Sequence, residues 1–203
     1  MATDEYLKIL VDDIHSVTVA TLGADGRPQT RAIDMMLFDD NGIYFLTAKG
    51  KSFREQLKSQ GFVAVSAVKG KVSLSLRGSV RSIGQEKLDL ILEKNKYMQR
   101  IYPHRTRGAL EVFCLFDAQG EYFDISDPAH IRRDSFTIGS ARVCDVGYFI
   151  GEDCFGCDKC LKVCPQGCID VSHTPAVIDR HGCLGCGQCA EVCPAHAVKR
   201  RTL

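Results

Sequence analysis

The chain lacks an excess of charge of either sign: 26 Lys and Arg stand against 25 Asp and Glu, a formal net charge of +1. A nucleic-acid or acidic-membrane footprint shows as a strong basic excess, so this balance argues against both partners. No apolar run approaches the length of a spanning helix, and Met1–Leu10 (MATDEYLKIL) carries acids where a signal peptide has its basic region. These absences lead to the expectation of a cytoplasmic protein without membrane contact. Catalytic signatures are also missing. There is no nucleophile triad, paired-carboxylate pattern or nucleotide fingerprint, and Gly23-x-x-Gly26 and Gly182-x-x-Gly185 are isolated fragments.

Cysteine is nearly absent from the first 140 residues, where Cys114 stands alone. The other ten of the eleven fall between Cys144 and Cys193. A secreted disulfide protein spreads its cysteines along the folded chain. Ten crowded into one stretch read as metal ligands. With 203 residues, 45% of them apolar, the chain has room for one medium and one small domain and can bury a core without staples.

The first part reads as mainly β. Asp4–Asp13 is expected as a short amphipathic helix capped by Thr3, with Leu7, Leu10, Val11 and Ile14 on one side. Strands are expected at Ser16–Leu22, Gln29–Phe38, Ile43–Thr47, Phe62–Val68 and Val72–Ile83, with a strong hairpin signal at Asp39-Asp40-Asn41-Gly42. Ser52–Ser59 and Gln85–Arg100 carry helical periodicity, and Ala109–Asp117 and Glu121–Ile125 form a last hairpin around Ala118-Gln119-Gly120. About seven strands joined mostly by tight turns suggest a small closed antiparallel barrel. The expected organisation is a barrel domain over residues 1–126, a linker over 127–142 and a cysteine-rich domain over 143–203.

That last stretch contains a repeat. Cys154, Cys157, Cys160, Cys164 and Pro165 recur 29 residues later as Cys183, Cys186, Cys189, Cys193 and Pro194, with Ile169 matched by Val198. Two-residue gaps let three thiolates of one loop wrap one side of a cubane; in two-cluster ferredoxins, which this pattern resembles, the fourth, set apart before a proline, reaches the other cluster. The pattern assigns Cys154, Cys157, Cys160 and Cys193 to one [4Fe–4S] cluster, and Cys183, Cys186, Cys189 and Cys164 to a second. Gly156, Gly185 and Gly187 let backbone approach the sulfurs. Zinc is the rival reading, but its sites usually draw on separated C-x₂-C pairs. Cys168 has no counterpart, since Ala197 occupies the matching position, and reads as a small buried residue; Cys114 and Cys144 receive no role. This tail resembles a bacterial-type two-cluster ferredoxin domain, which implies low-potential one-electron transfer.

Residues 24–57 resemble the FMN-binding split-barrel superfamily of pyridoxamine 5′-phosphate oxidase-like proteins. The resemblance is carried by GRPQTRAIDMML, DDNGIYFLT and KGKSFREQL, followed by FVAVSAV. It implies a mainly β fold, an antiparallel split barrel with a few helices, here joined to a small α+β ferredoxin domain. It also implies FMN at a homodimer interface. The strand with Arg31, Ala32, Ile33 and Asp34 would run beside the flavin, and Leu46 and Thr47 would contact its ring system. Lys49, Lys51 and Ser52 would hold the phosphate, with Ser52 capping a helix whose N-terminus favours an anion. Read without the resemblance, Lys49–Arg54 is a solvated helix start and Arg31 a surface strand residue. The oxidase closes its substrate site with a basic C-terminal segment; here the ferredoxin stretch takes that place, which argues against pyridoxamine phosphate oxidation.

The expected function is that of an iron–sulfur flavoprotein oxidoreductase. It would exchange low-potential electrons with a soluble partner and act on an organic substrate through FMN, which connects one- and two-electron chemistry. The alternatives are an electron carrier with no substrate of its own, and a dimerising barrel that holds no flavin or binds deazaflavin or haem. Tyr102 and His104 are candidate proton donors, weighed against an ordinary surface loop.

Overall fold

The computed structural model describes residues 1–143 and 146–201, and the chain divides into two compact units. Met1–Glu121 with Ser135–Val143 make one; Tyr122–Asp134 with the cysteine-rich stretch make the other. Among the described residues no helix is long and apolar enough to cross a membrane.

β1 (Ser16–Leu22), β2 (Pro28–Asp39), β3 (Gly42–Ala48), β4 (Phe62–Lys69), β5 (Val72–Gly84), β6 (Leu110–Asp124) and β7 (Arg132–Ile138) form one sheet in the order β3-β2-β1-β4-β5-β6-β7, all of it in the first unit save residues 122–124 and 132–134. A further antiparallel pairing of β3 with β6, from Ile43 opposite Leu115 to Ala48 opposite Leu110, closes the first six strands into a barrel. Closure removes the free edges that would otherwise template aggregation. The interior follows from side-chain alternation: Val17 and Val19 on β1 and Val63, Val65 and Ala67 on β4 point inward between exposed neighbours. β3 is buried along almost its whole length because both of its faces are covered. Phe45 lies 5.9 Å from the Phe113 ring and 6.1 Å from Phe53 of α2 (Ser52–Gln60). On the other face, Tyr44 and Leu46 pack with Ile91, Leu92 and Met98 from α3 (Leu88–Lys94) and α4 (Lys96–Ile101).

The structure departs from the sequence expectations at several places. The first helix is α-helical only over α1 (Thr3–Lys8), and its chain continues as a wider π-helical turn, Ile9–Ile14, closed by a His15 N–H bond to the Leu10 carbonyl at 2.9 Å. Thr3 is not its cap: the Glu5 carboxylate accepts the Ala2 N–H at 2.7 Å, while the Thr3 hydroxyl donates to the Thr137 carbonyl. The long helix expected over 85–100 breaks at Asn95, where the backbone leaves helical angles (φ −113°, ψ 73°) and the side-chain amide donates to the carbonyls of Ile91 and Met36. No hairpin forms around Ala118-Gln119-Gly120, because β6 runs straight through. Its neighbour is β7, inside the stretch expected to be linker.

Among the described residues, the cysteine-rich stretch of the second unit contains four short strands and two single-turn helices. β8 (Gly147–Ile150) pairs with β11 (Val198–Arg201), and β9 (Ile169–Asp170) with β10 (Val177–Ile178). α5 (Lys159–Lys162) and α6 (Gln188–Glu191) begin 29 residues apart, the period of the cysteine repeat. Ile169, Ala176 and Val198 form its small buried core, with Tyr148, Ile150 and Ile178 packed against it.

Candidate functional site

The cysteine repeat builds two cavities. One is lined by Cys154, Cys157 and Cys160 together with Cys193. The other is lined by Cys183, Cys186 and Cys189 together with Cys164. Each therefore draws three thiols from one loop and the fourth from the other repeat, the grouping expected from the spacing. Gly156 and Gly185 occupy equivalent positions with φ of +76° and +72°, conformations that a side chain would strain. The Gly185 N–H donates to Cys183 Sγ at 3.4 Å and the Ala197 N–H to Cys193 Sγ at 3.3 Å, contacts that stabilise thiolates. Among the described residues no three His, Cys, Asp or Glu side chains converge on a point that could hold a single ion. Thiols set around a cavity, with amides aimed at the sulfurs, fit a cluster better than a lone tetrahedral zinc.

The remaining cysteines differ in setting. Cys168 lines the second cavity, its Sγ 3.5 Å from that of Cys164. Cys114 is fully buried under α3 and α4, where burial pushes its thiol up. Cys144 lies outside the described residues.

In the barrel, the residues proposed beside a flavin fall into two groups. Arg31 is anchored by its own neighbours: its guanidinium donates to Thr21 Oγ1 at 2.6 Å and Gln56 Oε1 at 2.9 Å and lies 4.4 Å over the Phe53 ring. Partial desolvation lowers its pKa. Ala32 is exposed and Ile33 and Asp34 half-buried, further along β2. Asp34 accepts hydrogen bonds from Ser16 and, at 2.6 Å, from the Tyr97 hydroxyl. Burial alone would raise its carboxyl, but those bonds and the nearby His15 hold it below the usual carboxylate range.

Leu46 and Thr47 are buried on β3, and the Thr47 hydroxyl has no hydrogen-bond partner among the described residues. Lys49 and Lys51 are exposed beside the start of α2. The cap of that helix is Lys51, with Ser52 its first helical residue, so the expected Ser52 cap moves by one position. The nine-residue helix still directs its unpaired backbone N–H groups and positive dipole end to the place the two lysines flank. A buried orphan hydroxyl and a cationic helix N-terminus on consecutive elements fit a ligand with a polar ring edge and a phosphate.

Sequence reasoning missed several residues around this site. Glu111, opposite Thr47 in the β3–β6 register, is buried and accepts hydrogen bonds from Arg54 and Ser82. His15 and Tyr97 join Asp34 in a chain of short contacts. Sequence distance hid both sets, since the partners lie 57 and 82 residues apart. His104 is exposed in a short helical turn, His104–Ala109, and Tyr102 is half-buried against the α3–α4 cluster.

Comparison with known proteins agrees with these two halves. Residues 3–118 match the family model described as pyridoxamine 5′-phosphate oxidase, and residues 147–198 match the 4Fe-4S dicluster domain. Among curated proteins none matches. Of solved structures, a NimC/NimA family protein from Clostridium acetobutylicum is 18% identical with a TM-score of 0.57, over 66% of this chain and 92% of that one. A protein of the same organism related to general stress protein 26, of the pyridoxinephosphate oxidase family, is 20% identical with a TM-score of 0.53, over 66% of this chain and 96% of that one. PhzG from Burkholderia lata, solved with tetrahydrophenazine-1-carboxylic acid, is 14% identical with a TM-score of 0.51, over 67% of this chain and 89% of that one. At such identities the likeness shows the fold alone. The chain belongs to the pyridoxamine 5′-phosphate oxidase family, its split barrel continuing into a 4Fe–4S dicluster domain.

Proposed function

We propose that this protein is an iron–sulfur flavoprotein oxidoreductase, exchanging low-potential electrons with a soluble partner and acting on an organic substrate at the barrel. The observation that carries the reading is the pair of crossed four-cysteine cavities in the chain of a barrel whose β3–α2 segment suits a flavin phosphate. Cys154, Cys157, Cys160 and Cys193 would hold one cluster, and Cys183, Cys186, Cys189 and Cys164 the other. When bound, the clusters supply one-electron transfer and FMN supplies the link to two-electron chemistry.

The chain's own groups do the binding and orienting. Lys49, Lys51 and the N–H groups at the start of α2 neutralise a phosphate, and Ser52 adds a hydroxyl there. The Thr47 hydroxyl, Leu46, and the β2 stretch Arg31, Ala32, Ile33 and Asp34 line the ring. A homodimer supplies the second wall of each site. Its support is a patch of small side chains on the sheet, where Thr18 lies beside Ala32 and Ser66 in register and half-buried Ala20 beside Ala64. Side chains this small let an isologous copy approach closely.

Anaerobic purification followed by cofactor extraction and mass spectrometry tests the reading. The expected result is FMN together with about eight iron and eight acid-labile sulfide per chain, the content of two cubanes. Light scattering should give roughly twice the chain mass of 22.4 kDa. Stoichiometric zinc without sulfide, or deazaflavin or haem in place of FMN, would overturn it. Turnover with a chemical reductant and candidate acceptors separates an enzyme from a carrier.

A further inference from the structure

The barrel unit contains a strained histidine whose position has no explanation in the cofactor sites. His15 ends the π-helical turn with φ 66° and ψ −65°, a conformation rare for any residue but glycine. It is fixed there by its own N–H bond to the Leu10 carbonyl at 2.9 Å and by the Met35 N–H, which donates to the His15 carbonyl at 2.8 Å. On β2 the strand register shifts between Met35 and Leu37, a bulge directly after Asp34. Together the two irregularities bring the His15 ring to Tyr97 of α4, and Tyr97 to Asp34.

The contacts can be counted in protons. The Tyr97 hydroxyl has one proton and two close oxygen or nitrogen partners, Asp34 Oδ2 at 2.6 Å and His15 Nε2 at 2.9 Å, with the weakly accepting Met36 Sδ further off at 3.7 Å. Nδ1 of His15 lies 3.1 Å from the Val11 carbonyl, which can only accept, so that nitrogen carries a proton. The other Asp34 oxygen is taken by the Ser16 hydroxyl. Satisfying both links of the His15–Tyr97–Asp34 chain requires two protons, and tyrosine brings one. The second sits on Nε2, giving imidazolium and carboxylate, or on Oδ2, giving neutral imidazole and carboxylic acid. The two arrangements have the same composition.

We propose that His15, Tyr97 and Asp34 share one exchangeable proton, passed through the Tyr97 hydroxyl from the histidine end to the aspartate end, to protonate the product of a two-electron reduction at the barrel. In the transfer the Nε2–H bond breaks as a new O–H bond forms on Tyr97, and the original Tyr97 proton moves to Asp34 Oδ2. Asp34 then gives up that proton, its O–H bond breaking as a bond to hydrogen forms on an electron-rich oxygen or nitrogen of the reduced organic substrate, and solvent restores the proton at His15. Both ends are open to this, with the His15 and Asp34 side chains 31% and 29% exposed. The bonds from Ser16 and Tyr97 favour the carboxylate at the Asp34 end. The delivery step rests on the flavoprotein reading above; the shared proton does not.

Other charged groups of the packed elements leave the chain of three alone. Lys69 at the end of β4 is held by the Asp13 carbonyl at 2.6 Å, and Asp12 and Asp13 on the π-helical turn and Lys96 and Arg100 on α4 are exposed. Ser16 is the polar neighbour from β1.

Nuclear magnetic resonance of the oxidised full chain, labelled with ¹⁵N-histidine and ¹³C-aspartate, reads the proton count directly. At about pH 7.5, where an ordinary histidine is mostly neutral, the parent should show either both His15 nitrogens protonated or a protonated Asp34. Tyr97→Phe keeps the ring and removes the hydroxyl, and should leave neutral imidazole and ionised carboxylate; His15→Gln serves if that variant does not fold, and should leave Asp34 ionised. A parent with neutral His15 and ionised Asp34 would overturn the proposal. So would a phenylalanine variant that retains the extra proton, because His15 and Asp34, 3.6 Å apart, would then pair without the hydroxyl. In turnover, Tyr97→Phe should lower kcat by about a hundredfold or more while KM stays put, and move the alkaline limb of the pH profile to lower pH; an unchanged profile would remove the delivery role. A protein that holds the shared proton yet binds no flavin would sink the flavoprotein reading and leave the relay standing.

Discussion

Gly120 and Phe136 occupy one another's space: a Cβ built on Gly120 would come within 2.3 Å of the Phe136 ring. Phe136 is buried and stacks on Tyr6 with ring centroids 4.4 Å apart, tying β7 and the first helix to β6. A sheet this tightly filled has no slack for a methyl group. Gly120→Ala should destabilise the barrel by about 1–3 kcal/mol, the usual range for overpacking. Chemical unfolding followed by far-ultraviolet circular dichroism measures it, and an unshifted midpoint would mean that the ring moves freely.

The cavities predict a crossed pattern of damage. Cys164→Ala should degrade the cluster of the Cys183–Cys189 loop, and Cys193→Ala that of the Cys154–Cys160 loop. Electron paramagnetic resonance of the reduced variants distinguishes the two centres. Loss confined each time to the cluster of the substituted residue's own loop would refute the crossed assignment.

Lys51→Ala should weaken FMN binding while leaving the clusters and fold intact. A hydrogen bond to a charged group contributes about 1.5–3 kcal/mol, or roughly tenfold to a hundredfold in affinity. Riboflavin, which has no phosphate, should bind both proteins alike. Arg31→Ala is expected to behave differently, since it also removes the bonds to Thr21 and Gln56 and the contact with Phe53. It should lower the unfolding midpoint as well as the affinity. Equal loss of FMN and riboflavin in the lysine variant would make Lys51 a structural residue.

Thr47→Val carries a prediction of opposite sign in the two states. Without ligand, the substitution removes a buried hydroxyl that has no partner, so stability should hold or rise. With FMN, affinity should fall if that hydroxyl bonds the ring. Calorimetry of both forms separates the effects, and a valine variant that unfolds earlier without ligand would show that the hydroxyl is already satisfied.

Glu111 predicts an acid-sensitive barrel. Burial alone would raise its carboxyl, but Ser82 and Arg54 outweigh that and hold it below the usual carboxylate range. A group depressed in this way stabilises fully above its unfolded value of about 4.3 and loses the contribution as pH falls through its lower folded value. The gap in unfolding midpoint between the parent and Glu111→Gln should therefore be widest near neutrality and close in acid. A gap independent of pH would assign the effect to shape.

Much of the fold is legible in the sequence. Strands announce themselves by alternation at Ser16–Leu22 and Phe62–Lys69, the Asp39–Gly42 turn places its hairpin, and the cysteine spacing groups the thiols as the cavities do. The failures share a cause. Glycine at position 120 signals a turn locally but serves a tertiary need, clearance for a phenylalanine sixteen residues further on. Asn95 reads as an ordinary helical residue until its amide finds the Met36 carbonyl. Thr3 and Ser52 are good caps by composition, yet one hydroxyl is committed to Thr137 and the other sits one position inside the helix. Partners that only folding brings near leave no local trace, and His15, Tyr97 and Glu111 escape notice for the same reason.

The crossing of the cysteines also sets a timetable for the nascent chain. Synthesis runs from the N-terminus, so the three thiols of the Cys154–Cys160 loop emerge first, yet their cavity lacks its fourth wall until Cys193 appears. The Cys183–Cys189 loop, made later, finds Cys164 already waiting. The site begun first is therefore the last that can be closed, and a chain interrupted between Cys189 and Cys193 would carry one finished cavity and one open.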